Sequence, residues 1–138
     1  MKVLFDTNVL LDALLVRVPF AENAAYLLEA VEIAKIQGFI SATTITDIYY
    51  LVKRHTKNAE TASATISKLL ILMEVCLVDR GVIQQAIDLN LTDFEDAVQV
   101  AAAMEARLDA IVTRDVAGFI GSPILVMSPE ELVNQLGQ

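Results

Sequence analysis

Five short, nearly unbroken apolar runs punctuate the chain: Lys2 to Phe5, Phe39 to Ala42, Val75 to Val78, Ala110 to Thr113 and Ile124 to Met127. Longer stretches of helical spacing lie between them. Strands without polar alternation are buried on both faces, and when they alternate with helices the usual solution is a parallel sheet with helices on either side. The pattern predicts an α/β fold, a three-layer sandwich around a central, mostly parallel five-stranded sheet. Helices are expected at Asn8 to Val16, Phe20 to Gln37, Thr44 to Lys53, Asn58 to Met73, Val82 to Leu89 and Glu95 to Leu108. Pro19 suits the first turn of the second helix, Leu27, Val31 and Ala34 mark one side of it, and Gly38 would end it. Ser128-Pro129-Glu130-Glu131 has the form of a capping box with proline at the first helical position, and opens a last helix.

A length of 138 residues suits one domain, 1–138, with no linker, repeat or low-complexity segment. Hydrophobic residues make up 55% and charged residues 20%, so a sizeable core is available and disorder is excluded. The single cysteine, Cys76, excludes an internal disulfide and a multi-cysteine zinc site, and its setting in Val75-Cys76-Leu77-Val78 is that of buried filler. No apolar run reaches the roughly 18 residues of a membrane span, and Asp6 and Asp12 interrupt any signal-peptide core. A cytoplasmic protein away from membranes is the expectation. Ten Lys and Arg stand against 18 Asp and Glu, a net charge of −8. That balance argues against simple coating of nucleic acid, which needs many cations. It does not argue against clustered carboxylates that hold a divalent metal.

Ligands of parallel α/β sheets gather beyond the C-terminal strand ends, and acids stand at or near four such places. Asp6 closes the first strand in Phe5-Asp6-Thr7-Asn8. It can cap the next helix, or Thr7 or Asn8 can take the cap and free it to bind. Asp47 follows the second strand and is also the fourth residue of a capping-box pattern begun by Thr44. Tyr50 and Arg54 share its helical face, while Ile45, Ile48 and Val52 can turn to the core. Asp93, Glu95 and Asp96 precede an alanine-rich helix that can lie close to the sheet. Thr92 and Glu95 have capping-box spacing, and the helix dipole favours acids there, but three acids exceed what capping needs. Asp115 follows the fourth strand, where it can also be an ordinary turn residue.

Crowded carboxylates repel and raise one another's pKa. A hard, oxygen-loving cation removes that cost. Mg2+ or Mn2+ is held by a few carboxylates and waters, leaves room for phosphate oxygens, and assists in-line displacement at phosphorus.

In order, spacing and context these residues resemble the PIN-domain nucleases. The likeness runs over essentially the whole chain, from Val3-Leu4-Phe5-Asp6-Thr7-Asn8 to Ile124-Leu125-Val126. Its most specific pieces are the opening segment from Leu4 to Asp12, then Asp93-Phe94-Glu95-Asp96-Ala97, then Ile111-Val112-Thr113-Arg114-Asp115 with Phe119 shortly after. The resemblance implies that Asp6, Asp47, Asp96 and Asp115 are acidic ligands of Mg2+ or Mn2+, with Thr113 a polar helper beside the metal. It implies metal-dependent endonucleolytic cleavage of single-stranded RNA. Many bacterial members are VapC-type toxins of toxin–antitoxin pairs, usually homodimeric and silenced by an antitoxin partner. Asp47 departs from the Glu often found at that place. Tyr50 is a candidate for stacking on an RNA base. Lys53 and Arg54, in the only dense basic stretch, Lys53-Arg54-His55-Thr56-Lys57, are candidates for the RNA backbone, although such a stretch also suits a solvated helix end.

Other readings fit less well. A phosphoaspartate receiver needs a late lysine, and none follows Lys68. A haloacid-dehalogenase-type phosphatase needs a second Asp where Asn8 stands. A nucleotide-binding fold would want glycines after the first strand. A PIN-like binding or scaffold module without catalysis remains the rival, with all four acids weighing against it. His55, the sole histidine, has no nucleophile nearby, and Gly118-Phe119-Ile120-Gly121 lacks the basic residues of a nucleic-acid loop. A mean hydropathy of +0.54 leaves an apolar surplus, and the helices at Tyr26 to Ala34 and Ile66 to Met73 offer it for self-association.

Overall fold

In a computed structural model that describes residues 1–137, the strands are β1 (Lys2–Phe5), β2 (Gln37–Ser41), β3 (Glu74–Cys76), β4 (Ala110–Val112) and β5 (Leu125–Met127). They form one sheet in the order β3-β2-β1-β4-β5, with every pairing parallel. The chain builds outward from β1 through β2 to β3, then returns to lay β4 on the other side of β1. The C-terminal ends of β1 and β4 therefore flank the point where the winding reverses, and there the loops diverge to leave a crevice.

The helices are α1 (Thr7–Leu14), α2 (Ala21–Glu32), α3 (Ala42–Thr56), α4 (Ala59–Leu72), α5 (Arg80–Leu89), α6 (Phe94–Glu105) and α7 (Pro129–Leu136). Successive strand residues face opposite ways. Val3 and Phe5 enter one buried cluster with Leu10, Leu27, Ile48, Leu69 and Leu132. Leu4 enters the other, with Ile111, Val82 and the alanines of α6. Ala97, Ala101, Ala102 and Ala103 are all buried, so α6 lies close against the sheet, as its composition suggests. Cys76 is buried, and burial pushes its thiol up to about 11, so it is an inert packing group.

Several boundaries differ from the sequence-based expectation for identifiable reasons. Helix α2 ends at Glu32, not near Gln37, and Gly38 is not its stop. Ala34 takes a left-handed conformation (φ 60°), and the Lys35 amide donates to the Ala30 carbonyl over 2.8 Å, which closes the helix end. Gly38 sits within β2. A Cβ there would meet the Met73 sulfur and come within 2.9 Å of Val31, so glycine lets α2 and the end of α4 close over the strand. Pro19 stands in the turn before α2 rather than inside it. Ser41, not Thr44, caps α3, so Asp47 lies in the body of that helix. Asp93, not Thr92, caps α6 by accepting from the Asp96 amide, which frees Glu95. The capping box at Ser128 and Glu131 forms as expected.

Among the described residues, no helix is long and apolar enough to cross a membrane. The run Leu69 to Met73 divides: Leu69 and Met73 are buried, whereas Leu70 and Ile71 are exposed, Ile71 by 88%.

Candidate metal centre in the strand-end crevice

Asp6 follows β1 and caps α1, so capping and a place in the crevice are not alternatives. Its Oδ1 accepts from the Thr7 amide (2.8 Å) and from Gln99 Nε2 (2.8 Å). Its Oδ2 accepts from Thr113 Oγ1 (2.8 Å), and the Thr113 hydroxyl in turn accepts from the Asp115 amide (3.0 Å). Thr113 thus couples the ends of β1 and β4. Thr7 also donates to Thr44 over 3.1 Å, tying the start of α1 to α3. Asp6 is only 8% exposed, and three neutral donors fix its carboxylate. A carboxylate offers about four acceptor sites, so these three donors leave one unused.

Asp96 lies in the first turn of α6, three residues before Gln99, so one helix face supplies both. Asp115 caps the 3-10 turn Val116–Phe119 through the Gly118 amide (3.1 Å). A Cβ on Gly118 would stand 3.0 Å from the Asp115 Cγ and 3.1 Å from the Asp96 Oδ2. Those two carboxylates therefore approach one common point, and glycine keeps it open. Burial, then the charges of Asp93, Asp6 and Asp115, push the Asp96 carboxyl up to about 7. That is the expected result of gathering partly buried acids in one place.

Asp47 is placed differently. It pairs with Glu95, whose carboxyl is pushed up to about 7, first by its hydrogen bond with Asp47, then by partial burial and the charges of Asp47, Asp93 and Asp96. Asp6, Asp47, Asp96 and Asp115 all line one cleft of about 520 Å³. Tyr50 and Arg54 line it too, on the helical face the spacing indicated, while Ile48 and Val52 are buried in the core. Lys53 does not line it. Arg54 is the only cation on its walls among the described residues.

Among the described residues, no three acidic, histidine or cysteine side chains close into a preformed metal cage. The donor chemistry nonetheless fits a hard cation. The crevice offers carboxylate oxygens with neither histidine nor thiol, and two of the carboxylates face one open point. Gln99 Oε1 is buried there with no partner, and an unsatisfied buried acceptor costs about 1–3 kcal/mol.

Residues 2–117 match the family model described as PIN domain. The chain belongs to the PIN-domain family. Solved structures with this fold include a toxin–antitoxin complex from Klebsiella pneumoniae, at 24% identity over 92% of this chain and 97% of that one, with a TM-score of 0.69. FitAcB from Neisseria gonorrhoeae is 21% identical, covering 93% and 98%, with a TM-score of 0.71. VapBC2 from Rickettsia felis, bound to a DNA fragment from its promoter, is 15% identical, covering 93% and 98%, with a TM-score of 0.68. No curated protein matches the chain.

Contacts in and beside this PIN site escape a reading by local sequence. Gln99 orients Asp6 from across the crevice. Its signal is a polar residue on the Asp96 face, in the otherwise apolar stretch from Ala97 to Met104. Asp12 is 1% exposed and bridges Arg17 (Nε to Oδ1, 2.8 Å) and Arg114 (Nε to Oδ2, 2.7 Å). The Arg114 guanidinium also stacks 4.0 Å from the Phe20 ring. Arg114 adjoins Asp115, so this bridge fixes the loop that carries Asp115. A charged residue buried in the largely apolar α1 (Thr7–Leu14) demanded such a partner.

Proposed function

We propose that this PIN domain is a Mg2+- or Mn2+-dependent endoribonuclease that cleaves single-stranded RNA. The observation that carries this reading is the meeting of Asp6, Asp96 and Asp115 around one crevice, with Asp47 and Glu95 on its wall. Asp6 is held in one orientation by Gln99 and Thr113, Asp96 by its place in α6, and Asp115 by its cap on the 3-10 turn. These three would hold the metal, with Asp47 completing the shell directly or through water. An ion held there would lower the pKa of a water and offset the charge of the phosphate. Arg54 binds a flanking phosphate from the cleft wall, Tyr50 offers a ring to a base, and Lys53 adds charge from outside.

The neighbours described as VapBC and toxin–antitoxin complexes favour a toxin role in the cytoplasm, with an antitoxin as partner. An antitoxin segment would silence the site by bringing a cation to the acids. The exposed Leu70 and Ile71 favour a homodimer through α4. Light scattering at micromolar concentration checks this, with Leu70→Glu expected to give the monomer.

Cleavage of single-stranded RNA with Mn2+, Mg2+ or EDTA tests the enzymatic reading. Metal-stimulated cleavage by the wild type and none by Asp6→Asn/Asp96→Asn is expected. Equal activity in both would identify a contaminating nuclease and leave the non-catalytic binding module as the better reading.

A further inference from the structure

A second concavity, of about 350 Å³, adjoins the acid cleft and shares Asp47 and Glu95 with it as a common wall. Its apolar surface comes from Ile83 on α5 and from Phe94 and Val98 on α6, and Thr43 and Thr46 border it from α3. Phe94 is 53% exposed at the first position of its helix. Capping requires no aromatic ring there, since Asp93 performs the cap. Tyr50 lines the cleft side of the Asp47–Glu95 wall and Phe94 the other side, so exposed aromatic rings stand on both sides of one acidic partition.

The chemistry of this pocket narrows its occupant. No cation lines it among the described residues, and its acidic Asp47–Glu95 pair offers nothing to neutralise a phosphate. A flat, uncharged group with N–H donors suits it: the ring lies on Phe94 and Ile83, and the donors reach Asp47 or Glu95. Carboxylates accept from exocyclic amino groups of bases, and threonine hydroxyls pair with either polarity. Within a single strand crossing the acid crevice, the base beside the cut phosphate meets that description. Unpaired bases are free to splay out and stack on aromatic side chains.

We propose that the pocket formed by Ile83, Phe94 and Val98 beside the Asp47–Glu95 wall is a nucleobase subsite, selecting a base that carries an exocyclic amino group next to the scissile phosphodiester. The proposal rests on the ribonuclease reading above and adds sequence preference to it.

The chain contains no tryptophan, so Phe94→Trp places a single reporter in the pocket. In an Asp6→Asn background, which prevents turnover, short adenosine and cytidine oligonucleotides are expected to quench its emission strongly. Uridine runs should quench weakly, and an abasic ribose-phosphate oligomer should bind without quenching. Phe94→Ala should weaken binding of the adenosine oligomer by roughly 5- to 150-fold, the range of base–aromatic stacking, and leave the abasic oligomer unchanged. Binding by anisotropy with no quenching from any base overturns the subsite while the nuclease reading stands. An emission that shifts blue with protein concentration, or with an added amphipathic peptide, and ignores RNA assigns the pocket to a protein surface and also overturns it. No RNA binding together with no cleavage by the wild type removes both readings.

Discussion

The two ends of α1 each bury an aspartate, and the chain treats them in opposite ways. Asp12, near the C-terminal end, lies between Arg17 and Arg114, so its charge is cancelled from within. Asp6, at the N-terminal end, receives only neutral donors from Thr7, Gln99 and Thr113. Asp96 and Asp115 then add negative charge around it. A buried ion without a counterion costs several kcal/mol. On the proposed reading, a chain that solves this problem at one end of a helix and leaves it open at the other keeps the second charge for a cation from outside, and Asp12 serves structure where Asp6 serves function.

Exchanging the charges breaks the comparison most directly. Asp6→Asn keeps the shape of the cap but removes the anion, and Asp96→Asn does the same across the crevice. Either should lower metal-dependent RNA cleavage by about 1,000-fold or more, about 4 kcal/mol of barrier. The melting temperature without metal should hold or rise, because repulsion is relieved. A fall in melting temperature with activity intact would place Asp6 in the structural class with Asp12.

Asp12→Ala should do the reverse. It strands two guanidinium groups, and breaking a buried pair costs about 3–5 kcal/mol. Arg17 and Arg114 keep partial access to water, so a loss of about 2–3 kcal/mol is expected. Urea unfolding would show it as a lower midpoint with an unchanged slope. Cleavage per folded molecule should fall less than in Asp6→Asn, since Asp12 acts on Asp115 only through Arg114.

The difference between these aspartates was only half legible in the sequence. Unbroken apolar runs located all five strands to within a few residues, although only β1 and β4 are buried nearly throughout and the edge strands β3 and β5 each expose a residue. The rule that ligands sit at C-terminal strand ends directed attention to Asp6, Asp47, the trio Asp93, Glu95 and Asp96, and Asp115, the family resemblance singled out Asp96 within the trio, and all of these line the cleft. What was hidden depended on partners distant in the chain. Asp6 meets Gln99 across 93 residues, and Asp12 meets Arg114 across 102. No local pattern encodes either contact. Glu95 was hidden for another reason: Thr92 offered it a capping role, but Asp93 takes the cap and leaves Glu95 to Asp47. Gly38 misled in the same manner, since glycine marks helix ends and close packing alike.

Acidity sharpens the comparison with a smaller effect. Asp96 and Glu95 titrate near 7 in the folded chain, above the ordinary carboxylate range. Between that range and 7, the folded state binds more protons than the unfolded state, so metal-free stability falls as pH rises through this window. The melting temperature should be higher at pH 5.5 than at pH 7.5, and Asp96→Asn should flatten the difference. Metal binding has the opposite slope, because the ion displaces the same protons and tightens as pH rises toward 8. Calorimetric titration with Mn2+ at the two pH values measures it. No pH dependence in either experiment would mean that these carboxyl groups do not crowd one another in solution.

The smallest expected effect concerns the two neighbouring cations of α3. Arg54 shares the face of Asp47 and Tyr50 and lines the cleft, whereas Lys53 is exposed and does not. If the strand lies in the acid crevice, only Arg54 reaches its phosphates. Arg54→Gln should weaken single-stranded RNA binding several-fold and lower the salt slope by about 0.7, the value for one phosphate contact on a single strand. Lys53→Gln should change affinity less than about twofold, since it contributes only to the distant field. Fluorescence anisotropy over a salt series distinguishes them. Equal effects of the two substitutions would route the strand over the outer face of α3, away from Asp6, and the anion left uncancelled at the start of α1 would then need another explanation.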